Sequence, residues 1–129
     1  MRLLLDTQIF LWMFLGQKRI KAKYWSQLES EDNDLLLSAA SAWEIAIKVR
    51  TGKIKLPGDP ALYVPRLARE SNILSLPVTE EHALAVAGLP MHHSDPFDRM
   101  LVAQAQLESL TLITADPAFA EYDVKCMML

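Results

Sequence analysis

Leu3-Leu4-Leu5-Asp6-Thr7-Gln8 reads as a short buried strand that stops at a carboxylate and turns into a helix. A continuous apolar run of this length fits a strand covered on both faces, as in a parallel sheet. The pattern recurs along the chain. Leu35-Leu36-Leu37 runs into Ser38, a natural helix N-cap, and then into a helix that holds Glu44. Leu110 to Ile113 runs to Thr114-Ala115-Asp116, and Asp98 lies at the start of a helix that reaches Leu107. Parallel sheets bind ligands beyond the carboxyl ends of their strands. Asp6, Glu44, Asp98 and Asp116 are therefore expected to meet at that edge and to bind a metal.

Outward from these anchors, Met1 to Leu5 is the first strand, and Gln8 to Leu15 a helix that Gly16 ends as a C′ glycine would. A second helix spans Ile20 to Leu28. The acidic turn Glu31-Asp32-Asn33-Asp34 leads into the second strand, and the helix Ala39 to Arg50 ends at Gly52. Lys53 to Pro57 reads as an extended connector. Asp59-Pro60 starts a helix, aspartate at the cap and proline first, which runs to about Glu70; Pro65 is expected to kink it or split it. Ile73 to Leu76 is a third strand, and Thr79 caps a short helix to Ala87. Leu89 to Ser94 is a loop holding His92 and His93. Asp116-Pro117 repeats the aspartate–proline helix start, and Val124 to Met127 is a last edge strand. Strands alternating with helices predict an α/β sandwich around a mostly parallel sheet. No linker divides residues 1–129 into two domains.

The bulk properties narrow the function. A chain of 129 residues, 51% of them apolar, has material for one core without a disulfide or zinc staple. A net charge of −3 argues against a strongly basic nucleic-acid binder, but not against a nuclease whose positive charge comes from metal ions. The single cysteine, Cys126, suits a reducing cytoplasm and reads as a small apolar filler. No apolar run approaches the about 18 residues of a membrane span. Asp6 interrupts any signal-peptide core.

Each acid also has a structural explanation. Asp6 and Asp116 could cap the helices that follow them, and Asp95-Pro96-Phe97-Asp98 is a capping arrangement. Glu44 could pair with Lys48 four residues on. The set changes the weighing, because four carboxylates on one rim repel unless a cation compensates. All-oxygen ligands favour Mg²⁺ or Mn²⁺ over zinc. Thr7 and Thr114 read either as hydroxyls that orient a carboxylate or a water, or as routine strand-end residues. Arg99 has a weak phosphate-binding reading. His92 and His93 read as loop residues rather than ligands. Trp12, Trp25 and Trp43 read as core or interface. Lys18, Arg19, Lys21 and Lys23 read as a solvated face, with phosphate steering as the alternative.

At these residues the sequence resembles the PIN-domain family, and within it the VapC-type toxins of bacterial toxin–antitoxin pairs. The resemblance runs from Leu4-Leu5-Asp6-Thr7 through Ser41-Ala42-Trp43-Glu44-Ile45-Ala46-Ile47-Lys48 and Gly52-Lys53-Ile54. Its most specific piece is His92-His93-Ser94-Asp95-Pro96-Phe97-Asp98-Arg99-Met100-Leu101-Val102-Ala103-Gln104-Ala105, and its last is Leu112-Ile113-Thr114-Ala115-Asp116. The resemblance implies a three-layer α/β/α sandwich and a metal-dependent endoribonuclease of the cytoplasm. It also implies RNA as substrate, a small antitoxin as partner and commonly a homodimer. The family's acidic positions fall on Asp6, Glu44, Asp98 and Asp116, with Asp95 a less certain ligand. Two other readings remain. Phosphoryl transfer through an Asp6 nucleophile would want a second acid two residues later, where Gln8 stands. A non-catalytic interaction module would keep the same body with the acids as helix caps only.

Overall fold

The computed structural model describes residues 1–129. Its centre is a five-stranded sheet, parallel throughout, in the order β3-β2-β1-β4-β5. The strands are β1 (Arg2–Leu5), β2 (Asp34–Ser38), β3 (Leu74–Leu76), β4 (Thr111–Thr114) and β5 (Cys126–Met128). The helices are α1 (Thr7–Leu15), α2 (Ala22–Glu29), α3 (Ala39–Arg50), α4 (Pro60–Glu70), α5 (Glu80–Ala85) and α6 (Pro96–Glu108). The expected three layers are present. Side chains alternate across β1: Leu3 and Leu5 join a core with Ile9, Phe10, Leu28, Ile45 and Val64, under α1 to α4. Leu4 points the other way, into a core with Leu101, Val102, Leu112 and Phe119, under α5 and α6.

Strand order reverses beside β1. The chain builds outward through β2 and β3, then returns to place β4 on the other side of β1. In register, Leu5 lies beside Ile113, so the residues that follow β1 and β4 emerge at one edge. Such a switch point opens a crevice between the outgoing loops.

The caps expected at Ser38, Asp59, Thr79 and Asp95 form, each accepting from backbone amides of the first turn. Thr79 and His82 cap each other reciprocally, and His82 Nε2 lies 2.8 Å from Glu108 Oε1, tying α5 to α6.

Four local expectations need correction. Gly16 ends α1 with φ −151°, not in the left-handed region, and passes directly into a 3₁₀ turn over Gln17–Arg19 that the sequence did not announce. The second helix consequently starts at Ala22 rather than Ile20. Pro65 does not split α4, which runs unbroken. Proline there forfeits one amide bond, while Val64, Leu67 and Ala68 anchor the helix to the core. Asp116-Pro117 starts a 3₁₀ turn (Pro117–Glu121) instead of an α-helix, since the short crossover from β4 to β5 must also seat the buried Phe119. No helix is long and apolar enough to cross a membrane.

Candidate active site

An open groove of about 500 Å³ lies at the switch-point edge. Asp6, Glu44, Asp95, Asp98 and Asp116 all line it, together with Thr7, Trp12, Lys48 and Lys53. The four acids expected from the sequence are thus brought together, from β1, α3, α6 and the end of β4.

Asp6 directly follows β1 and is buried. It occupies the N-cap position of α1 but makes no well-aligned capping bond; the Gln8 amide is near enough only to oppose the rise in its pKa. Instead its Oδ2 accepts a hydrogen bond of 2.7 Å from the Thr114 hydroxyl. That hydroxyl accepts in turn from the Asp116 amide at 3.0 Å. One buried threonine therefore sets both strand-end acids. Burial raises the Asp6 pKa, and the Glu44 and Asp116 carboxylates add to the shift, while the Thr114 bond opposes it.

Glu44 is buried on α3, two-thirds of a turn beyond Ala42 and one residue short of the core residue Ile45. Lys48 donates to its Oε2, as the four-residue spacing allows. Its Oε1 is buried with no hydrogen-bond partner. The Lys48 pKa is raised, chiefly by this bond. Ser41, one turn earlier, accepts from the Thr7 hydroxyl at 2.8 Å and fastens α3 to α1. Thr114 thus orients a carboxylate, whereas Thr7 is a helix-to-helix tie.

Asp98 sits in the first turn of α6. Asp95, at its cap, takes the Phe97 and Asp98 amides at 2.9 and 3.0 Å, which leaves the Asp98 carboxylate free to face the groove. Burial, then repulsion from Asp95, Asp6, Glu44 and Asp116, pushes the Asp98 pKa up to about 8. Asp116 accepts from the Ala118 amide at 2.9 Å, so it caps its turn and lines the groove at once.

The donor set suits a hard divalent cation: carboxylate oxygens only, one of them a buried orphan, with two acids raised in pKa by burial and then by neighbouring carboxylates. No three of these side chains stand at the spacing of a single ion. A cation would have to draw them in.

Several other residues stand differently from expectation. Arg99 cannot bind phosphate. It is 7% exposed and donates to the carbonyls of Pro90, Val86 and Leu89 and to the Tyr122 hydroxyl. Trp43 is no core residue: it is 64% exposed and packs edge-on against Phe97, 5.3 Å between centroids. Trp12 lines the groove with the Arg19 guanidinium over its ring, while Lys18, Lys21 and Lys23 stand exposed and away from it. Lys53, passed over as connector, lines the groove. His93 was read as a loop residue, but its Nε2 lies 3.3 Å from Asp98 Oδ2 and its Nδ1 2.8 Å from the Tyr122 hydroxyl. No local pattern announces that contact, because it joins the loop before α6 to the turn that follows β4.

Comparison with known proteins bears on the family and the fold. Ribonuclease VapC16 of Mycobacterium tuberculosis is 50% identical over 50 residues, a stretch covering 39% of this chain and 36% of that relative. The chain therefore matches only about a third of that relative's length. The fold is similar to VapBC2 from Rickettsia felis bound to a promoter DNA fragment, at 16% identity and TM-score 0.75, covering 99% of this chain and 98% of that one. It is also similar to VapBC-1 from nontypeable Haemophilus influenzae, at 21% identity and TM-score 0.69, with 99% and 98% covered. The PIN domain model matches residues 3–125, nearly the whole of the described fold. The chain belongs to the PIN-domain family.

Proposed function

We propose that this chain is a Mg²⁺- or Mn²⁺-dependent endoribonuclease and the toxin of a toxin–antitoxin pair. The observation that carries the reading is the convergence of Asp6, Glu44, Asp98 and Asp116 on one groove, with a buried, partnerless oxygen on Glu44. The half-identical stretch shared with a ribonuclease supports it. Asp6, Glu44 and Asp98 hold the metal, and Asp116 serves a second ion or orients a water. When bound, the metal supplies a Lewis acid that activates water and neutralises charge on the RNA phosphate.

The chain's own residues prepare the site. Thr114 fixes Asp6, and Asp95 satisfies the α6 amides so that Asp98 need not. Lys48 and Lys53 bring positive charge to an otherwise acidic groove, where an RNA backbone would meet it. No side-chain nucleophile is required.

The proposed partners are RNA, a cognate antitoxin and a second copy of the chain, in the cytoplasm. A segment that silenced such an enzyme would cover the acid groove, and an arginine or lysine entering it would replace the missing cation. A complex that left the groove open would count against that mode of silencing.

The test is cleavage of varied RNAs by purified protein with Mn²⁺, with Mg²⁺ and with chelator, alongside Asp98→Asn. Metal-dependent cleavage that the folded variant loses supports the reading. A wild type that is inert on every RNA and takes up no metal overturns it, and the acids then serve as caps and ion pairs.

A further inference from the structure

Behind Asp98 lies a chain of hydrogen bonds anchored at one end by a group that can only donate. Arg99 has only N–H donors. Its two terminal nitrogens are spent on the Pro90 carbonyl at 2.8 Å, the Val86 carbonyl at 3.1 Å, the Leu89 carbonyl at 3.2 Å and the Tyr122 hydroxyl at 3.2 Å. The Tyr122 oxygen therefore accepts from Arg99, and its one hydrogen is free for His93 Nδ1, 2.8 Å away. With Nδ1 accepting, the neutral ring carries its hydrogen on Nε2, which faces Asp98 Oδ2 at 3.3 Å. The ring is also held in place by aromatic neighbours, 5.4 Å from Tyr122 and 6.1 Å from the buried Phe119.

We propose that His93 is the positioning residue for Asp98, and that it acts as the last link of a one-way chain from Arg99 through Tyr122. The proposal rests on the reading of Asp98 as a metal-holding acid. Neighbouring carboxylates repel Asp98, and as an acid on a helix it has freedom about its side-chain torsions. A donor fixed at Oδ2 selects one orientation and leaves Oδ1 for the groove. The donor is itself braced: Arg99 is pinned by three backbone carbonyls, so the chain has a rigid end. Groups that orient a ligating carboxylate commonly govern about 10- to 100-fold in metal affinity.

The experiment has two arms on the full chain. Mn²⁺ binding is measured by loss of the free-ion paramagnetic resonance signal for wild type, His93→Phe, His93→Gln and Tyr122→Phe. The His93 ring nitrogens of the metal-free protein are assigned by ¹⁵N resonance in wild type and Tyr122→Phe. The expected result is about tenfold weaker Mn²⁺ binding in His93→Phe, with affinity largely restored by His93→Gln, whose amide N–H can replace Nε2–H. The ring should be the Nε2–H tautomer in wild type, and Tyr122→Phe should admit the Nδ1–H form. Should His93→Phe fail to fold, Tyr122→Phe and His93→Gln carry the comparison. Unchanged Mn²⁺ affinity in a folded His93→Phe, or an Nδ1–H ring in wild type, overturns the proposal. If wild type binds no Mn²⁺, it is the metal reading that fails, and the tautomer alone then upholds or overturns the chain.

Discussion

Asp98 bears most of the electrostatic cost of the groove. Its pKa rises from 3.8 to about 8, because burial and four neighbouring carboxylates disfavour its charge. Below pH 3.8 it is neutral whether the chain is folded or not. Between 3.8 and about 8 the folded chain keeps a proton that the unfolded chain has released, so stability falls as pH rises and the loss is complete above about pH 8. Asp6 shifts in the same direction. Thermal melts of chelated protein should therefore show a falling melting temperature from pH 5 to pH 8; a flat or rising profile would contradict this charge arrangement. Asp98→Asn removes the repelled charge, and at pH 8 without metal it should melt about 3–6 °C higher than wild type. The same substitution should abolish most of any stabilisation by Mn²⁺. Thr114→Val keeps the shape of a strand residue but strips the hydroxyl shared by Asp6 and Asp116. It should cost about 1–3 kcal/mol in urea unfolding and weaken Mn²⁺ binding.

Helix α6 shows what short sequence patterns reveal and what they conceal. Its start was legible, since Asp95-Pro96 has a local chemistry that needs no tertiary partner. Its end was read to within one residue, at Leu107 against Glu108, but not its cap, because Ser109 takes the left-handed conformation (φ 55°) that glycine usually supplies. Ser109→Gly should raise stability by up to about 1 kcal/mol, read by urea unfolding. The role of Arg99 was also hidden: neighbours in sequence describe its helix, not the three carbonyls of a loop that it gathers. Arg99→Met should cost about 3 kcal/mol or more, because those buried acceptors lose their donors, and Arg99→Lys should recover only part. Pro65 and Gly16 misled for the opposite reason. Their intrinsic preferences are real, but core contacts in α4 and the 3₁₀ turn after α1 decide the local path.

Across the molecule, the sheet was readable because short apolar runs recur at β1, β2 and β4, each leading into a turn or helix that carries an acid, and a parallel sheet gathers such ends on one side. Strand order was not readable from those runs. It follows from packing, and it places β4 rather than β2 on the side of β1 where Asp6 meets Thr114. With a net charge of −3, the protein has little long-range attraction for RNA. RNA affinity should drop on adding chelator and recover with Mn²⁺; equal affinity in both states would show that lysines alone bind the strand.

The Thr114–Asp6 bond spans 108 residues of sequence. Its two partners are therefore made far apart in time, Asp6 well before Thr114. The first strand must therefore wait, flanked on one side only, until the second half of the chain is made and β4 can dock. A growing polypeptide has no complete groove at any earlier moment. A chain that stops before β4 carries Asp6 and Glu44 but lacks the Thr114 hydroxyl that fixes Asp6. The late closing of the groove is thus a consequence of strand order alone.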